Sequence, residues 1–289
     1  MKTLIVVKHS KYEWERLTTN ISHDALVAKY TNECANLEAI MRGHEKQIRT
    51  REVFKIAFHD AVTCFMDEIS SSFDKCYDLI IVVGGDNSFT KVSHQVRSTN
   101  ILGVNSDPER SSGHLLRWAI HQDEDVFELR ERLDFNEYDV EAWTRLGALL
   151  DGAPVIPATS EYFLGERMRD QMSRHVLEYR GSKQEQKCSG LIVATGAGST
   201  GWFKYANGLN GSWNPTDKHA GFSVTELFEP GSNDIKGGAL KPGEELIVHS
   251  LNDNDGCISV DAWSHFGFPR GSQARIYIDS PLNVLIPRR

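Results

Sequence analysis

Cysteine is sparse in this chain, and the five present (Cys34, Cys64, Cys76, Cys188 and Cys257) are odd in number and scattered. No Cys-x-x-Cys pair occurs, so neither a disulfide framework nor a zinc site is indicated, and a reducing cytoplasmic setting is expected. Long apolar runs are missing too. No stretch approaches the roughly 20 residues needed to span a membrane. Only five apolar-leaning residues follow Met1-Lys2, too few for a signal peptide, and there is no Arg- and Ser-rich leader, so the chain is expected to enter its first strand at once. Positive charge is in deficit: 32 Lys and Arg stand against 40 Asp and Glu, a net charge of −8 with no strongly basic run. That disfavours a nucleic-acid partner. The histidines show no metal-ligand spacing, and Asp253-Asn254-Asp255-Gly256 lacks the later acid of a calcium loop, so it reads as a hairpin turn. Repeats and low-complexity tracts are absent as well.

What is present is a folded profile. Hydrophobic residues make up 40% and charged residues 25% of 289, enough for one large domain or two of ordinary size. Residues 3–7 read as a first buried strand. Residues 12–42 read mainly as helix, with Ser22 or Asp24 as a cap and Gly43 as a stop or kink. Residues 45–73 form a second helical stretch, although 50–58 also alternate as a strand would. A strand at 79–83, a helix at 89–97 and a strand at 101–104 complete a right-handed α/β unit. Residues 118–133 read as a charged connecting helix. The pattern then changes. Strand candidates at 138–144, 146–150, 161–164, 175–179, 191–195, 245–250, 257–260 and 275–278 are separated by turn signals, with one helix at 204–211. The expected organisation is an N-terminal Rossmann-like α/β domain over 1–133 and a mainly-β domain over 134–289, with little chain beyond the last strand.

Two glycine-bearing strand ends carry the chemistry. The unbroken apolar run at 79–83 suits a strand buried on both faces and leads into Gly84-Gly85-Asp86. Glycines there allow a sharp turn and close ligand approach, and an acid stands where ligands of open α/β sheets bind. In the second, 190–195 leads into Gly196-Ala197-Gly198-Ser199-Thr200-Gly201-Trp202. Glycines bare their N–H groups and Thr195, Ser199 and Thr200 add hydroxyls, a composition suited to phosphate or a base edge. It has neither the Lys of a Walker A loop nor the Gly-x-Gly-x-x-Gly spacing of a Rossmann fingerprint. An acidic and a hydroxylic loop together suggest a phosphorylated ligand and phosphoryl transfer. Asp86 would either take a hydroxyl proton or help to hold Mg²⁺; the residues leave both roles open.

Four motifs in order then resemble the NAD kinase family, and most of all its mitochondrial and plant NADH-kinase-like branch. They are Gly84-Gly85-Asp86, Gly103-Val104-Asn105-Ser106-Asp107-Pro108 through Leu115, Ala158-Thr159-Ser160-Glu161 through Glu166, and Ser189-Gly190 through Trp202, with a weaker match at Ile258-Ser259-Val260-Asp261. The resemblance implies a site in the cleft between an α/β and a β-rich domain. It implies transfer of the terminal phosphoryl group of ATP, with Mg²⁺ but no tightly bound metal, to the adenosine-ribose 2′-hydroxyl of NAD or NADH. It also implies small nucleotides as the partners and a homodimer or homotetramer. Carried over, Asp86 is the acid at the reacting hydroxyl, beside Gly84, Gly85, Asn87 and Asn105. Glu161, next to Ser160, holds ribose hydroxyls; Thr195, Gly196, Ser199 and Thr200 hold adenine and ribose, and Asp261 lies near the nucleotide.

The sequence departs from the family inside these motifs. Asn87-Ser88 replace Gly-Thr after the acid, so a side chain at 87 restricts the turn unless the left-handed tolerance of Asn rescues it. Ser160 replaces the Asn of the Asn-Glu pair, which shortens its reach. Two further readings therefore stand beside an NAD(H) kinase: a kinase of another nucleoside or nucleotide acceptor, and a catalytically silent nucleotide-binding homologue.

Overall fold

The computed structural model describes residues 1–207, 212–229, 231 and 234–288. The chain divides into two compact units, Met1–Val140 with Val284–Arg289, and Glu141–Asn283. The second unit thus starts a few residues beyond the expected 133/134 boundary, and the last residues return to the first.

The first unit is α/β. Its elements are β1 (Thr3–Val7), α1 (Lys11–Thr19), α2 (His23–Asn32), α3 (Leu37–Ala57), β2 (Val62–Phe65), β3 (Leu79–Gly84), α4 (Asp86–Ser93), β4 (Asn100–Asn105), β5 (Trp118–Ala119) and α5 (Glu124–Asp134). The sheet runs β2-β1-β3-β4 with every pair parallel. β1 and β3 are apolar but for Thr3 and wholly buried, as strands covered on both faces must be. Val7 lies opposite Val83, and Gly84 opposite Asn105, so these strand ends share one edge. The chain leaves β1 for β2 on one side and returns to β3 and β4 on the other. This makes the gap between β1 and β3 the switch point at which such sheets place ligands.

Several expectations change here. The helix over 12–42 is broken twice, at Asn20 and Cys34, whose φ angles of 51° end α1 and follow α2 in the left-handed region. Ser22 caps α2 by accepting the Ala25 N–H. Gly43 neither stops nor starts a helix but lies inside the 21-residue α3. Residues 50–57 are helical, and the strand lies later, at β2. Residues 118–119 pair with β4 as a short strand, so the connecting helix starts only at Glu124.

The second unit is mainly β. It holds β6 (Tyr138–Leu150, entering from the first unit), β7 (Ala153–Ala158), β8 (Glu161–Glu166), β9 (Ser173–Tyr179), β10 (Ser182–Cys188), β11 (Gly190–Ala194), α6 (Trp202–Asn207), β12 (Ala220–Thr225), β13 (Gly237–Leu240), β14 (Glu245–Ser250), β15 (Gly256–Val260), β16 (Ser264–Gly267) and β17 (Gln273–Pro287, which leads back). One antiparallel sheet runs β13-β12-β11-β8-β15-β16, and β10-β9-β14-β17 form another antiparallel run. Leu164, Leu191, Phe222, Leu246, Ile258 and Ile276 are among the buried residues of its core. The expected hairpin over 138–150 is one continuous strand; the hairpin forms instead between β6 and β7, around Asp151-Gly152. β7, β10, β12, β13 and β16 were not expected. The helix expected at 204–211 begins at Trp202, and residues 208–211 lie outside the described residues.

Candidate functional site

In the first unit, Gly84, Gly85, Asp86, Asn87 and Asn105 gather at the ends of β3 and β4. Gly84 is needed for space: a Cβ there would stand 2.6 Å from Ser88 Oγ and 2.8 Å from Ser88 Cβ. Gly85 caps α4 in an extended conformation and offers no side-chain bond to it. Asp86 is the first residue of α4, where a carboxylate meets the positive end of the helix dipole. It is half-buried, and its two oxygens accept the backbone N–H groups of Leu115 (2.9 Å) and His114 (3.1 Å). Each oxygen keeps a further lone pair, so a fixed acid remains available to a substrate hydroxyl. Asn87 is the second residue of α4, exposed, and not among the residues with positive φ. The turn therefore asks for no left-handed residue at this position, and the expected restriction by its side chain does not arise.

Asn105 is buried and works on the loop rather than facing outward. Its Nδ2 donates to the Ser111 carbonyl at 2.8 Å, and its Oδ1 accepts the Asp107 N–H at 3.1 Å. Gly113, with φ of +59°, sits so close that a Cβ would lie 2.5 Å from Asn105 Nδ2. This packing presents the His114 and Leu115 N–H groups to Asp86. The sequence reading missed that clamp, for which Gly113 is the only local signal.

In the second unit, Ser160, Glu161, Thr195, Gly196, Ser199, Thr200 and Asp261 come together where β8, β11 and β15 end or begin. Asp261 is the hub. Its carboxylate accepts the N–H groups of Thr159 (2.9 Å), Ser160 (2.9 Å) and Glu161 (2.8 Å), while its own N–H donates to the Glu161 carbonyl at 3.0 Å. This buried acid braces main-chain groups of its own unit. Ser160 takes part through its backbone, with its carbonyl accepting the Thr195 N–H at 2.9 Å. Glu161 is only partly exposed, and withdrawal from solvent together with the charge of Asp261 pushes its carboxyl up to about 8.

The glycines of the glycine-rich loop sit against neighbouring main chain. A Cβ on Gly196 would lie 2.0 Å from the Asn214 carbonyl oxygen, and one on Gly198 would lie 2.3 Å from that of Ser160 and 2.9 Å from Glu161 Oε2. These glycines admit close packing of protein on protein. Thr195 and Ser199 turn inward: Thr195 Oγ1 donates to the Thr159 carbonyl at 2.5 Å, and Ser199 Oγ donates to the Gly196 carbonyl at 2.8 Å and accepts the Trp213 N–H at 3.1 Å. Thr200, by contrast, is exposed, as is Trp202.

No family model matches the chain. The chain is 28% identical over 246 residues to the "Probable NADH kinase" of Oryza sativa subsp. japonica, covering 73% of this chain and 71% of the relative. It is 27% identical over 278 residues to "NAD kinase 2, mitochondrial" of Homo sapiens, covering 70% of this chain and 63% of that protein, so the match spans less than two thirds of the human relative. Among solved structures, an NAD kinase from Archaeoglobus fulgidus in complex with ATP superposes with a TM-score of 0.66 at 18% identity, covering 99% of this chain and 93% of that one. At that identity the likeness establishes the shared fold.

Proposed function

We propose that this chain, similar over most of its length to NAD kinases, is a phosphotransferase of that family acting on a hydroxyl group, and that it transfers the terminal phosphoryl group of ATP to the adenosine-ribose 2′-hydroxyl of NAD or NADH. The observation that carries this reading is Asp86, an acid at a strand end whose carboxylate is fixed by two backbone N–H groups. In the proposed step Asp86 accepts the ribose hydroxyl proton and the oxygen attacks the γ-phosphorus. The bond from that phosphorus to its bridging oxygen breaks, and ADP leaves. Glu161 and Thr200 are the proposed contacts of the dinucleotide. Gly196, Thr195, Ser199, Ser160 and Asp261 are proposed to shape that surface from beneath.

Magnesium is proposed to arrive with the phosphates, where it would neutralise developing charge. Among the described residues no group of three or more His, Cys, Asp and Glu is placed to hold a metal. One carboxylate such as Asp86 with substrate phosphates and water suits Mg²⁺, which seldom needs an all-protein cage.

Asp86→Asn keeps the size of the side chain and removes the base. NADP(H) formation is expected to fall at least about a hundredfold, the usual scale of a lost general base, with an unchanged thermal melt. Full activity in that variant would refute the assignment. A panel of nucleoside and nucleotide acceptors with labelled ATP tests the acceptor. Because Ser160 and Asn87 differ from the family pattern, label appearing only in another acceptor would replace NAD(H) with that compound.

A further inference from the structure

Glu166 ends the motif that begins at Ala158, and none of the chemistry above uses it. It is the last residue of β8 and only 1% exposed. Its carboxylate accepts three successive main-chain N–H groups, from Asp253 at 3.1 Å and Asn254 at 3.2 Å on Oε1 and from Asp255 at 2.7 Å on Oε2. These residues lead into β15, the strand that pairs with β8. The acids of the loop turn their own side chains to arginines, Asp255 to Arg167 at 2.8 Å and Asp253 to Arg174 at 3.5 Å.

The other end of the strand pair repeats the arrangement in reverse. Asp261 follows β15 and accepts the N–H groups of Thr159, Ser160 and Glu161, which lead into β8. A main-chain bond of 3.0 Å reinforces each end, from the Asp261 N–H to the Glu161 carbonyl and from the Arg167 N–H to the Asp255 carbonyl. Each strand thus ends in a buried acid that holds the chain entering its neighbour. A slide of two residues would keep every side chain on its own face, so alternation alone does not forbid it. The two acids do forbid it, because a slide breaks both sets of carboxylate bonds, which are among the stronger hydrogen bonds of a protein. The backbone is strained at the same place. Asp261 and Ala262 have φ of 48° and 58°, two successive left-handed residues of which neither is glycine. Such a turn persists only where its surroundings over-determine it. How far β15 has run along β8 when it reaches this turn decides whether the Asp261 carboxylate meets the start of β8.

We propose that Glu166 is a positioning residue for the dinucleotide site: it fixes β15 lengthwise on β8, so that Asp261 holds Glu161 in place about 17 Å away along the strand. This rests on the reading that Glu161 contacts the dinucleotide.

Glu166→Gln keeps the shape of the side chain and sets an amide N–H₂ where an oxygen accepted N–H groups. NADH fluorescence titration of the full chain, steady-state kinetics and hydrogen exchange test the proposal. Affinity for NADH is expected to fall, and KM for the dinucleotide to rise, roughly tenfold, as for one lost bond to a charged group. Turnover at saturating substrates is expected to stay within about twofold, since the acid at the reacting hydroxyl, Asp86, belongs to the other unit. The Thr159, Ser160 and Glu161 amides are expected to exchange roughly tenfold faster, although the substitution lies at the opposite end of β8. Ser173→Ala is the milder variant and carries the test where Glu166→Gln does not fold. Ser173 Oγ accepts the Glu166 N–H at 2.7 Å, and the same changes are expected at about threefold. Val248→Ala, a buried position of β14 in the same unit, lowers stability without touching either acid and is expected to leave KM unchanged; thermal melts compare the variants. An unchanged KM in folded Glu166→Gln, or a fall in kcat alone, overturns the proposal. So does an equal rise in KM in Val248→Ala, which marks general loosening, or unchanged exchange at Thr159–Glu161. A wild-type chain that binds no NADH sinks the dinucleotide reading and the positioning role with it, whereas NADH binding that Glu166→Gln leaves intact sinks the positioning role alone.

Discussion

At the residue scale, Glu161 and Asp261 show how one acid sets the state of another. Asp261 receives three main-chain N–H groups. Glu161 pays for that arrangement, because its own charge would be poorly solvated and close to a like charge. Its carboxyl rises from an ordinary 4.5 to about 8. The folded chain therefore keeps a proton here that the unfolded chain releases, and between these two values stability is lost as pH rises. Glu161→Gln removes that dependence. The stability difference between variant and wild type is expected to shift toward the variant by up to about 1.4 kcal/mol per pH unit across the window. Thermal or urea melts at pH 5, 6, 7 and 8 measure it, and a difference that stays constant with pH would contradict the shift. A neutral Glu161 is also a hydrogen-bond donor, which suits it to the hydroxyl oxygens of a ribose as well as to their protons.

At the scale of the element, the stretch joining β4 to β5 works as a clamp on Asp86. Asn105 holds it at Ser111 and Asp107, and Gly113 lets it turn back. Gly113→Ala places a side chain at φ of +59° and 2.5 Å from Asn105 Nδ2. Its expected cost is about 1–2 kcal/mol of stability. Turnover is expected to fall roughly tenfold or more, since the fixed geometry of the acid is lost. Measuring kcat beside the melt separates the two, and an unchanged kcat would deny the clamp its role. β1, β3 and β4 were legible because burial on both faces writes an apolar run, whereas the two-residue β5 was read as helix. β10 was not legible, because its inward residues include Gln186, whose amide donates to the Ile235 carbonyl at 2.8 Å, so no apolar alternation marks it. The helix break at Asn20 depends on one left-handed residue, which composition does not announce. The order of the glycine-bearing motifs was legible too. The direction of the Thr195 and Ser199 hydroxyls was not, because it is decided by Thr159 and Trp213, which lie far away in sequence.

At the scale of the whole molecule, the chain order and the spatial units do not coincide. The last residues return to the first unit: Val284 lies opposite Ile101 in parallel pairing, and Leu285 joins the core of Ile5, Ile81 and Leu102. Arg288 adds a backbone bond to the Glu137 carbonyl at 2.8 Å and an ion pair with Asp139 at 2.6 Å. The ion pair is exposed and adds little. Val284 and Leu285 are fully buried, and each such side chain contributes about 1.5–3 kcal/mol. Ending the chain after Asn283 is therefore expected to destabilise the first unit by about 3–6 kcal/mol, a large part of the net stability of a domain. The effect is expected to be local. Hydrogen exchange should show loss of protection in β4, which pairs with the missing strand end, and in β3 next to it, while β8 and β11 in the second unit keep theirs. Equal loss in both units would mean that they unfold as one body, and no loss in β3 and β4 would mean that Val284 and Leu285 hold nothing in place. The same measurement bears on the reacting acid, because Asp86 and its clamp rest on the ends of these two strands: if β3 and β4 lose protection, NADP(H) formation by the shortened chain is expected to fall with them, although no residue named in the chemistry has been removed.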